Sequence, residues 1–374
     1  MHNGKMSRSI VLTFCVAIAV AWTVSAAGCP LSPSTIGEIR DLVEVYIDAD
    51  YSPGLVLGIR CGDATWLEGF GVSDISTGEP LEASQQFLVA SIAKQLVAAV
   101  VMRLVEEGRL GLEDPIADYV DYLPEAWTGI TIRHCLSHTS GTFSFGGLPT
   151  NLGSGSLSRE SLIGFITSGR LFTPPGEGFL YSTVGFFLLG YIVEQVTGAP
   201  VDDFIEREFL VPLGLEDTGF LLTRSPEDLA GYHQHYWQGQ AFFRDPPTTS
   251  WGLADGMFST AEDLLAWQAA LASGGIVSNE SLALMTTRAA TTNAAGETAI
   301  HNYGFGLEVF ADEEGRLTEV GHWGNGGGHI AYLWAYPQHD ISVVALQNSN
   351  GRLAPLLEEV EALLVGTRGE KPDP

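Results

Sequence analysis

At 374 residues the chain is long enough for one large domain or two, and with 45% hydrophobic against 17% charged residues it can bury a sizeable core. Its formal charge of −27 at pH 7, with no Lys/Arg patch to offset it, repels nucleic acid and anionic membrane surfaces, so neither is expected as a partner on this ground.

Residues 1–8 carry Lys5 and Arg8, residues 10–24 are apolar, and Ser25-Ala26-Ala27-Gly28 supplies small side chains. This pattern predicts a secretory signal peptide over residues 1–28 and export to the periplasm or the extracellular space. The apolar part is short for a membrane span. Cys29 follows directly, so a lipoprotein site, and with it a membrane tether through Cys29, is a second reading. It is weakened by Ala26, where a larger aliphatic residue is usual. An uncleaved anchor is the third. Cys29, Cys61 and Cys135 stay in the mature chain and allow at most one internal disulfide. A Cys29–Cys61 bond suits an exported protein, with buried thiols as the alternative.

Helical spacing follows over residues 35–49, with Ile36, Ile39, Leu42, Val43 and Tyr46 on one face. Residues 54–60 and 65–72 are strand-like, with Cys61-Gly62-Asp63 as the turn between them. Residues 92–105 are an apolar run of helical length that Gly108 is placed to end. Residues 112–300 read mostly as helices and loops. Strand signals return at 304–310, 317–323, 330–335 and 341–348, and residues 354–365 read as a closing helix. The early and late strands can share one antiparallel sheet. The expected fold is therefore α+β (an α/β sandwich): an antiparallel sheet flanked by helices, built from residues 29–111 and 301–366. A mostly helical insertion over 112–300 and a flexible tail over 367–374 complete it. A pocket is expected where the two parts meet.

The stretch with chemistry in it is Ser91-Ile92-Ala93-Lys94, at the start of the apolar helix. Residues i and i+3 share a helix face with Cβ atoms roughly 5–6 Å apart. An amine sunk at the edge of a core is disfavoured in its charged form. A neutral amine beside a hydroxyl can take its proton and make serine a nucleophile. The N–H of Ser91, at a helix start, can face a developing oxyanion. S-x-x-K is weak by itself, but the chain has three lysines, Lys5, Lys94 and Lys371, and only Lys94 lies in its body. Arginine cannot lose its proton to act as a base. The alternative is a lysine snorkelling from a helix start.

Two further stretches stand out. Pro175-Gly176 leads to Tyr181-Ser182-Thr183 just before another apolar run, which puts Tyr181 at a rigid corner where a phenol near a cation can act as a base. A half-buried core tyrosine is the plain alternative. His322-Trp323-Gly324-Asn325-Gly326-Gly327-Gly328-His329 ends a strand, where glycines let a ligand backbone approach and an edge strand can pair with an extended substrate. A glycine-rich hairpin around a core tryptophan accounts for it equally well.

In order and spacing these three motifs resemble the serine β-lactamase and penicillin-binding-protein group, whose S-x-x-K signature is a catalytic motif. The resemblance is to the branch with class C β-lactamases, D-alanyl-D-alanine carboxypeptidases, D-aminopeptidases and related esterases. Ile130-Thr131-Ile132-Arg133-His134-Cys135-Leu136-Ser137-His138-Thr139-Ser140-Gly141 and Gly256-Met257-Phe258-Ser259-Thr260-Ala261-Glu262-Asp263-Leu264 are similar to two further signatures of that group. The resemblance implies Ser91 as acylated nucleophile, Lys94 as its proton acceptor and Tyr181 as proton shuttle. It implies His322 in the place of a third-motif Lys or His, and the N–H groups of Ser91 and Asn325, beside Gly324, as the oxyanion hole. The family asparagine of the second motif is Thr183 here, and the middle of the third motif is Trp323 where threonine is frequent. Both changes weaken recognition of a β-lactam or a D-Ala-D-Ala end and leave acyl transfer at Ser91 intact.

The sequence therefore predicts a serine acyl hydrolase acting on an ester or a peptide amide, with a small-molecule or peptide substrate. A class C-like β-lactamase or D-alanyl-D-alanine carboxypeptidase is the first alternative, and a non-catalytic protein that binds a peptide or cell-wall fragment the second. No G-x-S-x-G is present for a lipase-type α/β-hydrolase. No H-E-x-x-H is present, and His134 with His138, or His233 with His235, lack a dense ligand set, so no metal or cofactor is expected and these histidines are read as structural. Pocket walls are expected from residues 143–157 and from the aromatic-rich 232–251, with Tyr236, Trp237, Phe242, Phe243 and Trp251. The sequence does not specify an oligomeric state.

Overall fold

The computed structural model describes residues 28–366 apart from residues 122, 143–169, 221–234, 238–239, 243–255 and 327; for 235–237 and 240–242 it describes the backbone alone. The leader through residue 27, the tail at 367–374, the loop at 143–157 and the side chains of the loop at 232–251 lie outside the described residues.

The main sheet contains β1 (Gly54–Cys61), β2 (Ala64–Asp74), β3 (Glu79–Pro80), β4 (Glu308–Ala311), β5 (Leu317–Gly326), β6 (His329–Tyr336) and β7 (Ile341–Gln347). Their order is β4-β5-β6-β7-β1-β2-β3, and every pairing is antiparallel. The early and late parts of the chain thus meet in the middle of one sheet, where β1 runs beside β7 from Leu55↔Gln347 to Cys61↔Ile341. The strand expected at 304–310 is confined to Glu308–Ala311, because Gly306 at φ +68° turns the chain just before it.

Both faces of the sheet are covered, so its central strands read as near-continuous apolar runs. Along β1, Leu55, Leu57 and Ile59 pack on one side and Val56 on the other, as the two-residue period requires. The outer side carries helices α1 (Pro33–Asp48) and, closing the fold, Ala354–Val365, through Ile39, Val43, Leu357 and Val360. The inner side carries α2 (Ala93–Glu106), α3 (Thr183–Thr197) and α4 (Ala261–Ala272). The closing helix is then α5. Each fully buried Leu or Val contributes about 1.5–3 kcal/mol, and α2 is buried on nearly every side from Ala93 to Leu104.

The segment 112–300 is less separate than a helical insertion. Its helix α4 lies against the sheet through Leu264 and Leu265, and Trp267 Nε1 donates to Gln95 Oε1 of α2 at 3.3 Å. The segment also supplies Gly219–Phe220 and Met257–Ser259 to a small three-stranded sheet with Phe87–Leu88. Cys29 is disulfide-bonded to Cys61 at the end of β1, and Cys135 is buried and free. The structure gives no support to a lipid tether through Cys29, whose sulfur it places in this bond.

Candidate active site

The chain reaches α2 through a tight bend. Val89 N–H donates to Met257 O at 2.9 Å, Ala90 takes φ +43°, and Ala90–Ile92 forms a single 3-10 turn closed by Ile92 N–H on Val89 O at 3.1 Å. An alanine with a left-handed backbone costs roughly 1–2 kcal/mol, which the packing on both sides of the bend offsets. Ser91 therefore sits just ahead of the helix rather than in its first turn, and is half-buried. Lys94, in the first turn of α2, is 0% exposed. Lys94 Nζ lies 2.8 Å from Ser91 Oγ. The same Nζ lies 5.1 Å from the centre of the Tyr181 ring and 5.8 Å from that of Phe186. Among the described residues no carboxylate forms an ion pair with it.

Tyr181 stands one residue ahead of the cap of α3. Ser182 caps that helix, its Oγ accepting the Gly185 N–H at 3.0 Å, and shares a 2.7 Å hydrogen bond with Thr142 Oγ1. Ser182 thus serves the fold, and Thr183 opens the helix with 5% of its surface exposed.

The third side of the site is β5. His322 is 2% exposed. Its Nδ1 is hydrogen-bonded to the carbonyl of Trp323, and its Nε2 lies 3.0 Å from Tyr303 Oη. A carbonyl only accepts, so Nδ1 carries the proton and Nε2 accepts from the Tyr303 hydroxyl. Burial, then the neighbouring Lys94, pushes the His322 imidazolium down to about 3, with the Trp323 carbonyl opposing them. Burial above all, then Tyr181 and Glu308, holds the Tyr303 phenol well above its usual range. His322 is therefore a neutral ring with both nitrogens engaged, and it supplies no positive charge to a substrate carboxylate.

Alternation along β5 sends the next side chain the other way. Trp323 is in the outer core, 4.7 Å from the Tyr332 ring, so position 323 gives the site no side chain. Gly324 returns to the inner face, where a Cβ would stand 2.1 Å from the carbonyl oxygen of Val89. This glycine admits the protein's own nucleophile turn, not a ligand backbone as its sequence context suggests. β4 pairs with β5 only as far as Gly321, and among the described residues no strand pairs with 322–326 on that edge. The Trp323 N–H points there, 3.5 Å from Glu308 Oε1, so the N–H of Asn325, two residues on, faces the same edge.

The structure thus gathers Ser91, Lys94, Tyr181 and His322, and brings Gly324 against the bend that carries Ser91. Sequence reasoning missed Tyr303 as a partner of the site, and set His138 aside. Tyr303 stands before two close-set glycines. A Cβ on Gly304 would lie 2.0 Å from Met285 O, and one on Gly306 would lie 2.5 Å from Lys94 O, so both mark a chain pressed against its neighbours. His134 is tied up as a helix cap, its Nδ1 accepting the Thr131 N–H at 3.1 Å. Among the described residues no three His, Cys, Asp or Glu side chains converge to hold a metal ion.

A serine hydrogen-bonded to a buried lysine, set beside an antiparallel sheet with helices on both faces, is the arrangement of a serine hydrolase. The chain belongs to the beta-lactamase family, whose model, described as "Beta-lactamase", matches residues 39–365. It is 27% identical over 333 residues to penicillin-binding protein 4* of Bacillus subtilis, covering 83% of this chain and 71% of that protein. It is 28% identical over 190 residues to esterase EstB of Burkholderia gladioli, covering 46% of this chain and 48% of that protein. Among solved structures, the octameric penicillin-binding protein homologue from Pyrococcus abyssi superposes with a TM-score of 0.77 at 26% identity, over 91% of this chain and 79% of that one.

Proposed function

We propose that the protein forms an acyl-enzyme at Ser91 and acts on an ester or a peptide amide. The observation that carries this reading is the 2.8 Å contact between Lys94 Nζ and Ser91 Oγ at a fully buried amine. Lys94 takes the Ser91 proton as Oγ attacks the carbonyl carbon. The negative charge that collects on the carbonyl oxygen is met by the N–H groups of Ser91 and Asn325. Tyr181 delivers a proton to the leaving alcohol or amine, and later removes one from the water that hydrolyses the acyl-enzyme. Three features turn the reading away from substrates with a free carboxylate beside the scissile bond: the neutral, doubly bonded His322, the outward Trp323, and Thr183 in place of an asparagine amide. The relatives named above as penicillin-binding protein and esterase bracket this choice.

The test is intact-protein mass spectrometry of wild type and Ser91→Ala with a fluorophosphonate, a fluorescent penicillin and p-nitrophenyl butyrate. Ser91-dependent phosphonate labelling with fast ester release and no penicillin adduct is expected. A slowly decaying penicillin adduct at Ser91 would assign a penicillin-binding protein or slow β-lactamase instead. No Ser91-dependent adduct at all would assign a binding protein. Lys94→Arg, which keeps the charge but cannot surrender a proton, is expected to lose turnover by at least about a hundredfold; wild-type rates in it would refute the base role.

The same reading makes the protein an exported one. Its support is the leader pattern of residues 1–28 and the Cys29–Cys61 bond, which suits an oxidising compartment. Mass analysis of the secreted chain should give an unlipidated N-terminus near Cys29; retention of the leader in a cytosolic product would overturn this.

A further inference from the structure

His138 belongs to none of the roles above, yet the chain around Tyr181 is built on it. Its backbone carbonyl accepts the N–H of Leu180 at 2.9 Å, and its ring Nδ1 accepts the N–H of Ser182 at 3.0 Å. The residues on either side of Tyr181, Leu180 and Ser182, are thus both tied to His138 through their N–H groups. The His138 ring centre lies 4.2 Å from that of Tyr181, 4.5 Å from Tyr303 and 5.2 Å from Phe186. His138 is 0% exposed and holds φ +57°, a left-handed conformation in which histidine and asparagine are enriched. Because Nδ1 accepts, the neutral ring carries its proton on Nε2, and that atom has no hydrogen-bond partner among the described residues. Burial first, then Lys94 and His322, keeps the ring far below its usual titration range, so it stays a neutral, flat wall at working pH. A buried ring in a backbone conformation few residues tolerate is costly for a fold that needs only packing there.

We propose that His138 is a positioning residue that fixes the Tyr181 phenol against Lys94 and Ser91 by bracketing its backbone and walling its ring. This rests on the reading of Tyr181 as the proton shuttle. It accounts for a long-range demand that local sequence does not meet: Tyr181 lies outside α3, one residue ahead of its Ser182 cap.

The experiment is a double-mutant cycle on the hydrolysis of p-nitrophenyl butyrate. His138→Gly keeps the left-handed backbone and the carbonyl but removes the ring and Nδ1. It is expected to lower kcat about a hundredfold, at the low end of what a proton-transfer residue contributes, with KM changed less than about threefold. Tyr181→Phe should show a loss of similar size. The double variant should then be no slower than the slower single, because both remove the same step. His138→Asn, which suits the left-handed backbone and can accept the Ser182 N–H from its side-chain oxygen, should recover roughly tenfold of the loss. If His138→Gly fails to fold, the same cycle with His138→Asn decides. Losses that multiply in the double variant, or full activity in His138→Gly, would overturn the proposal while leaving Tyr181 in its role. A Tyr181→Phe variant at the wild-type rate would overturn the shuttle reading and the proposal with it.

Discussion

Gly324 is the glycine whose replacement should separate catalysis from folding most cleanly. Its added Cβ would lie 2.1 Å from Val89 O, 2.9 Å from Val89 C and 3.3 Å from Ala331 Cβ. The first two contacts are with backbone, so no side-chain rotation relieves them. To bring the oxygen even to 3.0 Å, β5 and the Val89 peptide must part by about 0.9 Å. Val89 is two residues before Ser91, and Asn325 is the residue after Gly324, so the separation falls on the gap between the two proposed oxyanion donors. Losing one such donor costs about 10²–10³ in kcat, and a misplacement near 1 Å costs on the order of 10². Gly324→Ala is therefore expected to lower kcat for p-nitrophenyl butyrate about a hundredfold, while the overpacking costs about 1–3 kcal/mol in denaturant unfolding. Gly129→Ala, with open space around the new methyl group, is the control and should leave both unchanged. A folded Gly324→Ala enzyme within about threefold of wild type would show that β5 does not set the oxyanion geometry.

Acid should weaken the fold through the neutral histidines. An unfolded histidine titrates near 6.5, whereas His322 titrates at about 3 in the folded protein. Between those values the unfolded chain binds the extra proton, so this contribution is complete above pH 6.5 and is lost as pH falls toward 3. For His322 the gap is worth on the order of 5 kcal/mol, and His138 acts in the same direction. Urea unfolding at pH 7 and pH 4.5 should show the loss, and His322→Asn should show less of it; equal acid sensitivity in the two proteins would refute the burial of a neutral ring. The Cys29–Cys61 bond spans 32 residues, a loop whose release should cost roughly 3–4 kcal/mol on the chain-entropy account. Thermal unfolding of Cys61→Ser against wild type measures it, and a change under about 1 kcal/mol would mean that the N-terminal segment is not anchored by this bond.

Much of the fold was legible because its strands and helices repeat simple periods. The helix over 93–106, the last three strands and the closing helix at 354–365 each follow from apolar spacing bounded by Gly, Pro or polar turns. The reading was less successful where a residue's purpose depends on a partner distant in sequence. The strand expected from 304 begins at Glu308, because Gly304 and Gly306 are pressed against Met285 and Lys94 rather than extended. Helix α4 falls inside a segment that reads as an insertion, yet its apolar face is claimed by the sheet.

The sequence by itself determined the pair at the centre of the candidate site: one lysine in the body of the chain, three residues after a serine, where a turn leads into an apolar helix, since a three-residue spacing across a helical turn brings side chains to one face. Only the tertiary structure decided what the other motifs do. His322 is neutral because burial, and after it the neighbouring Lys94, both act on it. Trp323 leaves the site because strand alternation gives it to the outer core. Gly324 is needed for the approach of Val89, and His138 holds Tyr181 from 43 residues before it in the chain. Hydrogen bonding, desolvation and close approach act through space, and only folding brings those residues within reach of one another.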